Sequence, residues 1–166
     1  MIVRVSQGAE MGARVRNMEV FLLDGGRDLD PVCTVLLELR PQYTLESIRE
    51  AVLEQLAEGY RVAYVKHAGE VVAAAGFVIS RKLAWGKHIY VDDLVTAEHC
   101  RSGGAGKLLI SWLKQFGREN DCVELHLDSG VQRFAAHGFY LREGFHISSH
   151  HFTLTDLQGD SGSAEK

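Results

Sequence analysis

The chain has 166 residues, 46% of them hydrophobic, with 18 lysines and arginines against 22 aspartates and glutamates, a net charge of −4 and a pI near 6.0. A chain this long can bury roughly two-thirds of its unfolded surface around one core, so a single globular domain is expected. Nucleic acid and anionic membranes normally demand clustered positive charge, and this balance argues against both as partners.

The opening MIVRVSQGAE stretch lacks the apolar core of a signal peptide, and no apolar run approaches the ~18 residues that span a bilayer, so neither export nor anchoring is expected. Met11 and Met18 are further candidate starts, so residues 1–17 read as an extension preceding the domain. Met18 to Leu23 (MEVFLL) reads as a strand ending at Asp24-Gly25-Gly26. Asp30-Pro31 reads as an N-cap followed by proline at the first helical position, with Val32, Val35, Leu36 and Leu39 at helical spacing until Pro41. Thr44 caps a second helix whose face is Leu45, Ile48, Val52 and Leu56, closed by Gly59. Arg61 to Lys66 and Glu70 to Ser80 are β-rich runs joined by the short His67-Ala68-Gly69, and Lys87 to Thr96 continues the meander. Leu108, Leu109, Trp112, Leu113 and Phe116 form one helical stripe between Gly104 and Gly117. Cys122 to Leu127 reads as a strand, Val131 to Arg142 as a helix and Phe145 to Leu154 as a last strand. Thr155 to Lys166 is polar and Gly/Ser-rich, as disordered tails are. The order β-α-α-β-β-β-α-β-α-β describes an α/β fold, a mixed sheet flanked by helices.

The richest stretch is Arg101-Ser102-Gly103-Gly104-Ala105-Gly106-Lys107, between a strand and an amphipathic helix. Its glycines let backbone amides approach an anion, and the helix start adds unpaired donors and the positive end of its dipole. The GxxxxGK[ST] loop of nucleoside triphosphatases is absent, because Leu108 follows Lys107, and so is GxGxxG.

Arg101-x-x-Gly104-x-Gly106, preceded by VDDLVT and followed by KLLISWL, resembles the acyl-CoA-binding motif R/Q-x-x-G-x-G/A of the GNAT superfamily of N-acetyltransferases. Ala136 to Phe145 (AHGFYLREGF) resembles that family's second signature, A-x-x-F-Y-x-x-x-G-F, in the family's order and spacing. The resemblance covers roughly Val20 to Leu154 and places a GNAT acetyltransferase domain at residues 18–154. It implies a mostly antiparallel mixed sheet with a splayed strand pair for acetyl-CoA. The cofactor's diphosphate would lie on the backbone amides of Ser102, Gly103, Gly104, Ala105, Gly106 and Lys107, with Arg101 at the loop's entrance. The pantetheine arm would pair like an extra strand with Leu94, Val95 and Thr96, mostly through main-chain groups. Where many members carry an asparagine on the pantetheine or adenine side, this chain has Arg133. A guanidinium only donates, so its partner there would be a carbonyl, phosphate or carboxylate.

Acetyl transfer to an amine needs a neutral nucleophile, a polarised thioester carbonyl and a proton for the departing thiolate. Tyr140 matches the family's usual proton donor; a phenol, with a reference pKa near ~10, is neutral at pH 7. Asp92 and Asp93 lie just upstream of the pantetheine segment, and alternation along a strand sets them on opposite faces, so at most one faces the amine. His126 is a further candidate relay, with core or surface packing as its alternative role. No metal is expected: His137, His146, His150 and His151 lack ligand spacing, and Cys33, Cys100 and Cys122 are too far apart in sequence for a CxxC pattern. Their odd number suits a reducing, cytoplasmic setting. Cys100 lacks an identifiable His/Asp partner for a nucleophile's role. The expected activity is acetyl-CoA-dependent transfer to a primary amine of a small molecule or protein by direct attack in a ternary complex, with homodimerisation left open. The competing expectation is a non-catalytic acyl-CoA-binding or partner-binding module on the same fold.

Overall fold

The computed structural model describes residues 17–155 and 157. The expected extension at 1–17 and tail at 155–166 lie almost wholly outside these residues. Two compact units divide between Leu127 and Asp128.

The first unit carries a five-stranded sheet: β1 (Met18–Leu22), β2 (Arg61–His67), β3 (Glu70–Lys82), β4 (Gly86–Thr96) and β5 (Glu124–Leu127). The strands lie side by side in chain order, antiparallel from β1 to β4, and only β5 runs parallel to its neighbour. Ala68 and Gly69, both left-handed (φ 50° and 86°), close the tight β2–β3 turn. Helices α1 (Leu29–Leu37) and α2 (Leu45–Ala57) sit on one face, where Val32, Leu36, Ile48 and Val52 share a core with Val62, Tyr64, Ala74 and Val95. Helix α3 (Ala105–Glu119) covers the other face, with Trp112 and Phe116 in ring contact with Phe77, and Gly117 against Ile89. Thr44 caps α2 as expected: its hydroxyl accepts from the Ser47 amide, while the Ser47 hydroxyl accepts from the Thr44 amide.

Helix α1 begins earlier than Asp30-Pro31 suggests. Its N-cap is Asp28, whose carboxylate caps no helix amide but accepts from the Tyr64 hydroxyl and the Lys66 ammonium, each at 2.6 Å. Pro31 is the third helical residue, still within the first turn, where a missing N–H costs no helical bond.

The second unit contains α4 (Phe134–Arg142), three residues shorter at its start than expected because Val131 and Gln132 belong to a turn closed by the Arg133 amide on the Gly130 carbonyl. The expected last strand, Phe145 to Leu154, does not form. Its spaced apolar residues mimic strand alternation, but a strand exists through a ladder, and none among the described residues includes this segment.

Candidate active site

The feature that organises the site is a one-residue irregularity in β4. Phe77 pairs with Val91 and Gly76 with Asp93, leaving Asp92 as an extra residue, a β-bulge. The bulge breaks plain alternation between Val91 and Asp93, which would otherwise share a face. Val91 shares the α3 face with Phe77, whereas Asp93, opposite Gly76, faces α1 and α2.

Two residues that sequence reasoning missed hold this bulge. The Arg40 Nε donates to Asp93 Oδ1 at 2.7 Å, and its Nη2 donates to the Asp92 carbonyl at 3.3 Å. The Tyr60 hydroxyl donates to Asp93 Oδ2 at 2.6 Å. Tyr60 fits because Gly76 has no side chain: a Cβ there would coincide with the phenol oxygen. Burial, and then the charge and hydrogen bond of Asp93, push the Tyr60 phenol well above its ordinary pKa. The single glycine inside EVVAAAGFVIS was the available signal, since glycine within a strand marks a bulge or a close approach. Asp93 therefore has both oxygens engaged and only 14% of its side chain exposed, while Asp92 is exposed.

Past the bulge the sheet opens. β5 pairs with His88, Ile89, Tyr90 and Val91 and goes no further, so from Asp92 to Thr96 the outer edge of β4 has no partner strand among the described residues. Leu94, Val95 and Thr96 lie on this edge, and an extended ligand can add to the exposed backbone as a strand does.

The edge leads through a 3-10 turn (Glu98–Cys100) into the glycine loop. Ser102 (φ 64°) and Gly104 (φ 92°) are left-handed, and the Gly103 amide closes onto the Cys100 carbonyl. Gly104 is the N-cap of α3 without any side-chain cap, which leaves the first-turn amides of Ala105, Gly106 and Lys107 without intrahelical carbonyls. Amides converging at a helix start suit a diphosphate, so this cradle and the β4 edge together fit acyl-CoA. Arg101 lies beside Glu38 at 3.9 Å and Glu98 at 3.8 Å, and is largely exposed. Two cavities of the first unit, about 370 and 320 Å³, include none of the candidate site residues read from the sequence. A main-chain slot along a strand edge is not a hole.

In the second unit Tyr140 is buried on α4, its ring against Phe139 and Phe145. Burial raises its phenol's pKa, while the Arg133 charge at the helix N-cap works in the opposite direction. Of the remaining candidates, His126 binds Glu124 (2.6 Å) and stacks on Trp85. Burial, with Glu70 and Glu38 nearby, pushes the Cys100 thiol up, and burial pushes Cys33 to about 11; neither is a thiolate nucleophile at neutral pH.

Comparison with known proteins identifies the family and the fold. The acetyltransferase (GNAT) family profile matches residues 28–145. The chain is 31% identical over 122 residues to the uncharacterised N-acetyltransferase YhdJ of Bacillus subtilis, covering 71% of this chain and 84% of that protein. It is 28% identical over 131 residues to the aminoalkylphosphonate N-acetyltransferase of Salmonella typhimurium, covering 76% and 84%. Among solved structures, the aminoglycoside N-acetyltransferase AAC(6')-Iy in complex with CoA superposes with a TM-score of 0.76 at 14% identity, covering 85% of this chain and 95% of that one. An acetyltransferase of Trypanosoma brucei gives 0.68 at 24% identity, covering 85% and 100%. The chain has the α/β GNAT fold and belongs to the GNAT family of acetyltransferases.

Proposed function

We propose that the chain transfers an acetyl group from acetyl-CoA to a primary amine by direct attack in a ternary complex. The observation that carries this reading is the continuity of one surface: an unpaired β4 edge that runs from the bulge, through a short turn, into the amide cradle at the start of α3. Acetyl-CoA supplies the activated acetyl group. The amides from Ser102 to Lys107 hold its diphosphate, with Arg101 neutralising charge, and the backbone of Leu94, Val95 and Thr96 orients the pantetheine arm. The thioester then lies toward Asp92 and Asp93.

The residues divide the proton work. Asp92 is exposed at the opening and receives the amine's proton, directly or through water. Asp93, held by Arg40 and Tyr60, positions the bulge. Tyr140 gives its phenolic proton to the leaving thiolate. Arg133 favours a carbonyl or phosphate of the cofactor over the acceptor amine. The aminoalkylphosphonate enzyme among the relatives acts on an amine, as this reading requires. The domain carrying the activity spans 18–154 and works without a metal.

Cofactor choice is tested by thermal unfolding with CoA, acetyl-CoA, ATP or NAD. Stabilisation by CoA and acetyl-CoA is expected to reach about 2.7 kcal/mol at 100 times the dissociation constant. ATP and NAD should give much less, because the loop has neither nucleotide signature. Equal stabilisation by ATP and CoA would overturn the assignment.

A further inference from the structure

The end of the β3–β4 hairpin holds a cluster that the transfer step leaves unused. Trp85 lies flat on His126, with ring centroids 4.0 Å apart and 18° between planes, and meets the fully buried His88 edge-on at 5.3 Å. His126 is tied to Glu124, and His88 to the Ser80 hydroxyl (3.1 Å) and the Gly86 carbonyl (3.0 Å). The indole is therefore fixed in place by its own support. Over it sits the Lys82 ammonium, 4.4 Å from the Trp85 centroid and 5.3 Å from that of Tyr90.

Lys66 gives the contrast. Its ammonium also lies near two rings, Phe21 and Tyr64, but Asp28 anchors it at 2.6 Å. No carboxylate among the described residues pairs with Lys82, and its side chain is exposed. Two aromatic faces alone hold its charge, an arrangement that another cation can take over.

The location gives such a cation a purpose. Ile89 and Val91 face α3, so Tyr90 between them faces the side of the sheet to which Asp93 points. Tyr90 precedes Asp92 by two residues, about 7 Å along a strand. The cofactor, read from the cradle through Thr96 to Leu94, ends at the bulge; Tyr90 lies beyond that end on the same strand, and Trp85 in the turn just before the strand begins. We infer that this pair is a subsite for a second ammonium of the acceptor, and that the acceptor is a linear di- or polyamine. One primary amine is acetylated at the bulge while a distant ammonium displaces Lys82 from the rings. The inference rests on the reading of the β4 opening as the transfer site. The carboxylates of Asp92 and Glu124 on this stretch, and the chain's net negative charge, favour such a cation.

The test compares spermidine with propylamine as acceptors at saturating acetyl-CoA, by thiol release, in the unmodified protein, Trp85→Ala, Trp85→Phe and Lys82→Gln. Calorimetric titration of spermidine into the CoA-loaded protein accompanies it. The unmodified protein should prefer spermidine. Trp85→Ala should cut that preference about tenfold, chiefly through KM, and Trp85→Phe, which keeps a ring, should restore part of it. Lys82→Gln should do the opposite and lower the spermidine KM, because the competing cation is gone. The inference is overturned if Trp85→Ala weakens both amines equally, if Lys82→Gln leaves the spermidine KM unmoved, or if propylamine and spermidine serve equally well. Spermidine binding that depends on Trp85 without acetylation of any amine would support the subsite and overturn the transfer reading instead.

Discussion

In the proposed reaction Tyr140 stays protonated until a thiolate takes its proton, and burial of the phenol favours that protonated form, since desolvation disfavours the phenolate. Tyr140→Phe keeps the ring against Phe139 and Phe145 and removes one hydroxyl. Turnover should fall by ~10² to 10⁴ with acetyl-CoA affinity nearly unchanged, measured where chemistry limits the rate. Full turnover with a stability loss of about 1 kcal/mol would make the hydroxyl structural. The same physics sets a stability limit at high pH. Tyr60, Tyr64 and Tyr140 all have raised values when folded, so the folded chain holds these protons longer than the unfolded one. Their contribution is whole below the unfolded phenol value of ~10 and is lost as pH rises beyond it. Denaturation midpoints should hold up to about pH 9.5 and decline above ~10, with a shallower decline in Tyr60→Phe.

Among the secondary-structure elements, a bulge in β4 and the start of α3 shape the candidate site. Gly76→Ala forces Tyr60 out of its notch, and a double-mutant cycle with Tyr60→Ala reads this directly. Gly76→Ala alone should cost about 2–3 kcal/mol through the displaced phenol and the unpaired Asp93 oxygen, yet little once Tyr60 is already gone. Strictly additive losses would mean that Gly76 and Tyr60 act separately. Gly104→Val places a branched side chain at φ 92° in the cradle, so CoA affinity should drop more than tenfold by calorimetry, beyond the roughly 1–2 kcal/mol of backbone strain. The start of α2 was legible because Thr44 and Ser47 complete their cap within four residues. The start of α1 was not: Asp28 and Asp30 are equally good caps locally, and the choice depends on Tyr64 and Lys66, more than thirty residues away. The bulge was equally hidden, since register between β3 and β4 is a property of the pair. Gly76 and the adjacent Asp92-Asp93 were its only local traces.

Across the whole molecule, the order of elements along the chain, the meander from β2 to β4 and the presence of flanking helices followed from periodicity and turn residues, whereas the strand order of the sheet and the face each helix covers came only with the fold. The expected last strand does not form. Phe145 to Leu154 alternates like a strand, but its pairing depends on contacts that no local pattern encodes. The cradle was readable because backbone amides need only a glycine turn and a helix start, both local. The clamp on Asp93 joins positions 40, 60, 76 and 93, which only the fold brings together. The proposed roles of all these residues depend on acetyl transfer at the β4 opening. Its direct test is incubation of the purified chain with acetyl-CoA and a panel of monoamines, polyamines, aminoalkylphosphonates and lysine peptides, with released thiol counted and products identified by mass. One thiol should be released for each N-acetylated amine, with loss of both signals together in Tyr140→Phe. Tight CoA binding with no acetylated amine and no released thiol would contradict acetyl transfer and leave a binding module.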